Sequence, residues 1–225
     1  MADPPQAVEH YLTVAKTARY ILLGEPSAAT RAVWIACHGY SQLAPSFVRR
    51  LARLASDTRV VAAPEALHRF YLDPVEIPAA ERRVGATWMT REDREHDIAD
   101  NAAYLDQLGA DLLRQAPSAR LSALGFSQGV ATVARWAAGT RLPLDQLVFW
   151  GAPLPQDLEW VRAAPRFADL RVTLVAGNRD RVLPPPAFTE ERARLEKHGV
   201  RCAALGFEGG HEIEAATLER IATNA

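Results

Sequence analysis

Short, continuous apolar runs alternate along this chain with longer segments whose apolar residues recur every three or four positions. "AVWIACHG" (32–39), "ARLSALG" (119–125), "DQLVFWG" (145–151) and "LRVTLVAGN" (170–178) are mostly apolar and end in glycine or asparagine, the first as a nearly continuous apolar run. A strand buried on both faces has that pattern. "TRVVAAPEA" (58–66) and "VRCAALGF" (200–207) read as further strands, and "HYLTVAKTARYILLG" (10–24) as an opening antiparallel pair broken near Lys16 to Ala18.

Between the strands the period lengthens to that of a helix. Pro45 opens one through about Leu54, with Phe47, Leu51 and Leu54 on one stripe. "TRED" opens a longer one, in which Thr90 caps and Asp93 completes a capping box. Its buried stripe is Ile98, Ala102, Leu105 and Leu112, and the charges at 91–97 form a solvated first turn. Residues 128–138, 186–199 and 212–222 supply the remaining helices. Strands alternating with helices imply a mostly parallel sheet covered on both faces, an α/β class in which ligands sit beyond the carboxyl ends of the strands.

Residues 64–90 carry no long periodic element. A connection of that length inside one domain predicts a functional rim. It contains Phe70, Tyr71, Trp88 and Met89, which form either a satellite core or a substrate-binding wall.

Composition narrows the class without changing the layout. Residues 1–225, 48% of them apolar and with no linker or internal repeat, read as a single domain. The formal charge is −1, and lysine occurs only at Lys16 and Lys197, so no nucleic-acid stripe is expected. No apolar run reaches membrane-spanning length and the first residues lack a signal-peptide pattern, which predicts a cytoplasmic protein without a membrane span. Cys37 and Cys202 lie in strand-like runs without zinc-ligand spacing, and both are expected reduced and buried. Nothing in the sequence sets the oligomeric state.

"ALGFSQGVATVARWAAG" (123–139) places one serine, flanked by Gly125 and Gly129, where a strand ends and a helix begins without a loop. Gly125-Phe126-Ser127-Gln128-Gly129 fits the nucleophile elbow, in which a strained turn lifts the hydroxyl above the sheet. A structural serine capping the helix is the competing reading. A nucleophilic serine needs a base and a carboxylate that orients it. Asp180 follows the strand 170–178 and His211 follows the strand 200–207, which gives the order Ser, Asp, His. Asp157, after the strand ending at Trp150, is the rival carboxylate. His10, His68, His96 and His198 fall in unsuitable segments. The N–H groups of Gln128 and Tyr40 are the expected oxyanion-hole donors, with His38 supporting the Tyr40 loop.

"CHGY", "GFSQG", "NRDRVLP" and "GGHE" together resemble the alpha/beta-hydrolase fold, and within it the capless phospholipase/carboxylesterase branch that includes acyl-protein thioesterases. The resemblance runs from Arg31 onward. It implies an eight-stranded sheet ordered 1-2-4-3-5-6-7-8, the three roles assigned to Ser127, Asp180 and His211, and the donors Tyr40 and Gln128. The chain differs from that branch in carrying Tyr40 where a small or aliphatic residue is usual, and in the segment "HRFYLDP…RVGATWMTRED" (68–93). In the implied order the strands holding the two cysteines lie four positions apart, roughly 19 Å at the usual spacing, beyond disulfide reach. The expected activity is hydrolysis of a small carboxylic ester through an acyl-enzyme, with no metal ion or organic cofactor. The alternatives are an acyl-thioesterase or lysophospholipase, and a non-catalytic binding protein on the same scaffold.

Overall fold

The apolar runs become the inner strands of a seven-stranded sheet in the computed structural model, which describes residues 6–223. In chain order the strands and helices are β1 (Tyr20–Leu23), β2 (Ala32–Cys37), α1 (Ala44–Arg50), β3 (Arg59–Pro64), β4 (His68–Tyr71), β5 (Val84–Thr87), α2 (Arg94–Gln115), β6 (Arg120–Phe126), α3 (Gln128–Gly139), β7 (Leu144–Trp150), α4 (Trp160–Ala168), β8 (Arg171–Gly177), α5 (Pro185–Lys197), β9 (Cys202–Phe207) and α6 (Ala215–Thr223). The sheet order is β1-β3-β2-β6-β7-β8-β9, parallel except for β1, which runs against β3. It is the implied eight-strand order without its outermost strand.

Residues 10–15 correct the expected opening pair. Only Tyr20–Leu23 is a strand, and its partner is β3. "TVAKTAR" has no turn residue to reverse the chain onto itself, so the segment lies instead along α2, where Tyr11 stacks on His96 with ring centroids 4.2 Å apart.

Two apolar layers cover the sheet. Val33, Ile35, Leu121, Ala123, Leu147 and Phe149 face a core shared with α2, α3 and α4, while Trp34, Ala36, Leu124, Val148 and Trp150 face one shared with α1 and α6. Alternate residues of each strand thus serve opposite layers, as continuous apolar runs require. Phe47, Leu51 and Leu54 are fully buried as the stripe predicted, although α1 stops at Arg50 and a 3-10 turn carries Ala52–Leu54.

The start of α2 is also corrected. The helix begins at Arg94, with Asp93 before it at φ 47° and no side-chain cap. Thr90 Oγ1 accepts the Glu92 N–H, and the Asp93 carboxylate pairs with His96 Nδ1 at 2.6 Å. The two side chains expected to form a capping box therefore have other partners.

Cys37 and Cys202 are free, on strands four positions apart in the sheet; Cys37 is buried and Cys202 partly so. Residues 64–90 fold into an antiparallel hairpin, β4 with β5, which pairs Phe70 with Gly85 and His68 with Thr87. This hairpin stands beside the loop that follows β2.

Candidate active site

The β6–α3 junction leaves no space for side chains beside Ser127. A Cβ on Gly125 would lie 2.4 Å from Gly129 O, and one on Gly129 would lie 2.2 Å from Cys37 O. Ser127 itself has φ 54° and ψ −120° and makes no capping hydrogen bond to α3, which removes the structural-cap reading. A non-glycine residue held there costs of order 1–3 kcal/mol. The strain is sustained by neighbours on both sides: Ser127 N–H donates to Trp150 O at 2.9 Å, and α3 packs on β6 through Val130, Val133 and Ala134.

Asp180 and His211 are brought together from the ends of β8 and β9. Asp180 is buried, at 3% exposure, and its Oδ1 accepts the N–H groups of Val182 and Leu183 at 2.7 and 3.1 Å. Its Oδ2 lies 2.9 Å from His211 Nδ1. A carboxylate so placed selects the Nδ1–H tautomer and leaves Nε2 with a lone pair. The imidazole stacks on Phe126, the residue before Ser127, with centroids 4.8 Å apart. Among the described residues its hydrogen bonds go to Asp180, and none joins it to the Ser127 hydroxyl.

Asp157 is elsewhere. Its carboxylate is held by Arg94 at 2.6 Å and Arg135 at 2.7 Å. Partial burial alone would raise its pKa, but the two guanidinium groups outweigh that and hold it down to about 2. It is an ion-pair partner, tying the loop after β7 to α2 and α3.

The loop after β2 lies against Ser127. A Cβ on Gly39 would sit 3.1 Å from Ser127 Cβ. Neither the Tyr40 nor the Gln128 N–H has an acceptor among the described residues. The neighbouring groups are all engaged: Gly39 N–H donates to Gln42 Oε1 at 2.8 Å, and Ser41 N–H to Ala86 O at 2.9 Å. Fully buried His38 donates from Nδ1 to Gly39 O at 2.7 Å and accepts the Ala66 N–H at Nε2 at 3.1 Å. A ring that accepts at Nε2 while donating at Nδ1 is neutral, and burial lowers its pKa in the same sense.

The four residues of the expected wall separate. Phe70 is partly buried and stacks on Tyr40, whereas Tyr71, the next residue of β4, lies under Arg82, whose guanidinium carbon is 4.1 Å from the ring centre. Trp88 corrects the expectation of a wall residue: it is fully buried in the core, and its indole N–H donates to His38 O at 2.8 Å. Met89 directs its sulfur to Arg135 at 3.4 Å, and its carbonyl accepts Gln128 Nε2 at 2.9 Å.

Two supporting groups escaped the sequence reading. The Gln128 side chain clamps the exit of the hairpin, donating to Thr87 Oγ1 and Met89 O and accepting the Trp88 N–H at 3.1 Å. Glu65, with a fully buried carboxylate, gathers Arg19, Arg69 and the Ala44 N–H at the start of α1. Burial would raise its pKa, but the paired arginines lower it overall. A carboxylate directly after the apolar strand "RVVAAP" is the signal that could have revealed it.

No family model matches the chain, and no curated protein matches it in sequence. Solved structures do. Acyl-protein thioesterase 2 from Zea mays superposes with a TM-score of 0.70 at 18% identity, over 92% of this chain and 97% of that one. A carboxylesterase from Mesorhizobium loti gives 0.67 at 18% identity, over 92% and 95%. The Bacillus cereus carboxylesterase gives 0.65 at 14% identity, over 92% of both chains. The chain therefore has the alpha/beta-hydrolase fold, with only the nine-residue α4 between β7 and β8 where a large cap would be inserted.

Proposed function

We propose that this protein is a serine hydrolase of small carboxylic esters, with Ser127 as nucleophile, His211 as general base and then acid, and Asp180 as the group that orients the imidazole. The observation that carries the reading is the buried Asp180 carboxylate on His211 Nδ1, with the imidazole packed on the residue next to a strained, uncapped serine. The Ser127–His211 hydrogen bond forms when substrate binds, since catalytic hydrogen bonds commonly tighten only in the substrate complex.

In the first half-reaction Ser127 Oγ attacks the carbonyl carbon while its proton passes to His211 Nε2. The carbonyl oxygen gains a full negative charge, which the Tyr40 and Gln128 N–H groups stabilise by a few kcal/mol. Collapse of the tetrahedral species expels the alcohol, which takes the proton from His211 and leaves the acyl group on Ser127. Water then repeats the sequence, with His211 accepting its proton and returning it to Ser127.

An acyl thioester would be cleaved by the same groups. The test is therefore a panel of p-nitrophenyl esters of increasing acyl length beside an acyl thioester, run on wild type, Ser127→Ala and Asp180→Asn. Turnover of esters by wild type, abolished in Ser127→Ala and reduced roughly 10³–10⁴-fold in Asp180→Asn, is the expected result. Hydrolysis of the thioester alone would replace the esterase reading by a thioesterase one. No turnover by pure, folded wild type would leave a binding protein on a hydrolase scaffold.

A further inference from the structure

Tyr40 contributes its N–H to the proposed oxyanion hole, and its ring does something separate. It is 57% exposed and stacks against Phe70 with centroids 5.3 Å apart and planes 29° from parallel. The residue before it lies against Ser127: a Cβ on Gly39 would be 3.1 Å from Ser127 Cβ.

The pair is held rigidly relative to the nucleophile. Two backbone hydrogen bonds, Ser41 N–H to Ala86 O at 2.9 Å and Ala86 N–H to Gln42 O at 3.3 Å, fasten the Tyr40 loop to β5. Gly85, opposite Phe70 in the hairpin, permits that contact: a Cβ there would lie 2.7 Å from Ser41 O. A glycine inside a strand commonly marks such a backbone approach. At the far end, Thr87 and Trp88 are bonded to the side chain of Gln128, the residue after Ser127. Hairpin, oxyanion loop and elbow thus form one connected unit.

We propose that the stacked Tyr40–Phe70 pair is a substrate platform that makes this hydrolase selective for esters carrying a planar aromatic ring. The inference rests on the ester-hydrolase reading above. The exposed face of Tyr40 offers a third position in an offset stack, which a flat ring fills with close contact over its whole face. A cyclohexyl ring of similar size presents axial hydrogens and stands off. Aromatic pairs add roughly 2- to 12-fold in affinity beyond area burial. The ring can belong to the acyl or to the alcohol part, and the chemistry of recognition is the same.

The experiment compares kcat/KM for methyl phenylacetate against methyl cyclohexylacetate, and for benzyl acetate against cyclohexylmethyl acetate. The first pair shares methanol as its leaving group; in the second the two alcohols differ in acidity, so the change of preference between wild type and variants carries the result. Wild type is expected to prefer the flat ring in one pair by roughly 2- to 12-fold or more. That preference disappears in Phe70→Leu and in Tyr40→Leu, which keeps the backbone N–H, and persists in Tyr71→Leu. Preference in the first pair assigns the platform to the acyl group, and in the second to the alcohol. Should a variant fail to fold, inhibition of wild type by phenylacetate and benzyl alcohol against their cyclohexyl counterparts reads the same selectivity.

Equal rates within both pairs, or a preference unchanged in the Phe70 and Tyr40 variants, overturns the platform while the hydrolase reading stands. Absence of all turnover, together with no reaction of Ser127 with a fluorophosphonate, overturns both.

Discussion

Replacing Trp88 by alanine separates a core role from a role in the site. The ring is fully buried, lies 5.2 Å from the His38 ring and donates its indole N–H to His38 O. Truncating a buried tryptophan costs about 3–5 kcal/mol, a large share of the roughly 5–15 kcal/mol that holds a domain together. For a chain of this size each kcal/mol shifts Tm by about 2–4 °C, so Trp88→Ala should melt about 6–20 °C below wild type. Trp88→Phe keeps most of the volume but orphans the His38 carbonyl. It should cost about 1–3 kcal/mol, or about 2–12 °C. The assay is thermal unfolding followed by far-UV circular dichroism, with the ester panel run well below each midpoint. Both variants should keep the wild-type ranking of esters. A Tm for Trp88→Ala within about 2 °C of wild type, with a changed ester ranking, would refute the core assignment and return the ring to the site.

Asp157→Asn should leave hydrolysis within about tenfold of wild type while Asp180→Asn loses roughly 10³–10⁴-fold, as steady-state rates on one ester will measure. Gly129→Ala should fail to give active protein, because its methyl group would need the space of Cys37 O, 2.2 Å away; soluble expression and fluorophosphonate labelling report the outcome. Glu65→Gln should destabilise by about 1.5–3 kcal/mol at neutral pH through loss of charged hydrogen bonds. Arg19 and Arg69 hold the folded pKa of Glu65 below its ordinary value, so its stabilisation is complete above the unfolded pKa of about 4.3 and is lost as pH falls through the folded one. The Tm gap between wild type and Glu65→Gln should therefore be full at pH 7 and close in acid; a gap independent of pH would contradict the ion pairs.

What the sequence made legible was the sheet and the positions at its carboxyl edge. Inner strands buried on both faces are written as mostly apolar runs, and the glycine and asparagine that close them place Ser127 and Asp180 at the ends of β6 and β8, while the partly exposed β9 leads through Gly209 and Gly210 to His211. Features that depend on long-range partners were less legible. "HYLTVA" has strand composition, but with no turn before β1 to reverse the chain it does not reach that strand's open outer edge. Thr90 and Asp93 have the spacing of a capping box, yet Glu92 and His96 take their side chains. Trp88 and Phe70 are both aromatics of the hairpin region, and no local pattern says which is buried. That follows from the pairing of β4 with β5 and the approach of His38.

The central claim is that Ser127 is the covalent nucleophile of an acyl-transfer reaction, and intact-protein and peptide mass spectrometry after treatment with a fluorophosphonate tests it most directly. One adduct per chain is expected, located in the peptide containing Gly125 to Gly129 on Ser127, formed in step with loss of esterase activity, and absent from Ser127→Ala. An adduct on another residue, or undiminished ester hydrolysis by Ser127→Ala, would contradict it.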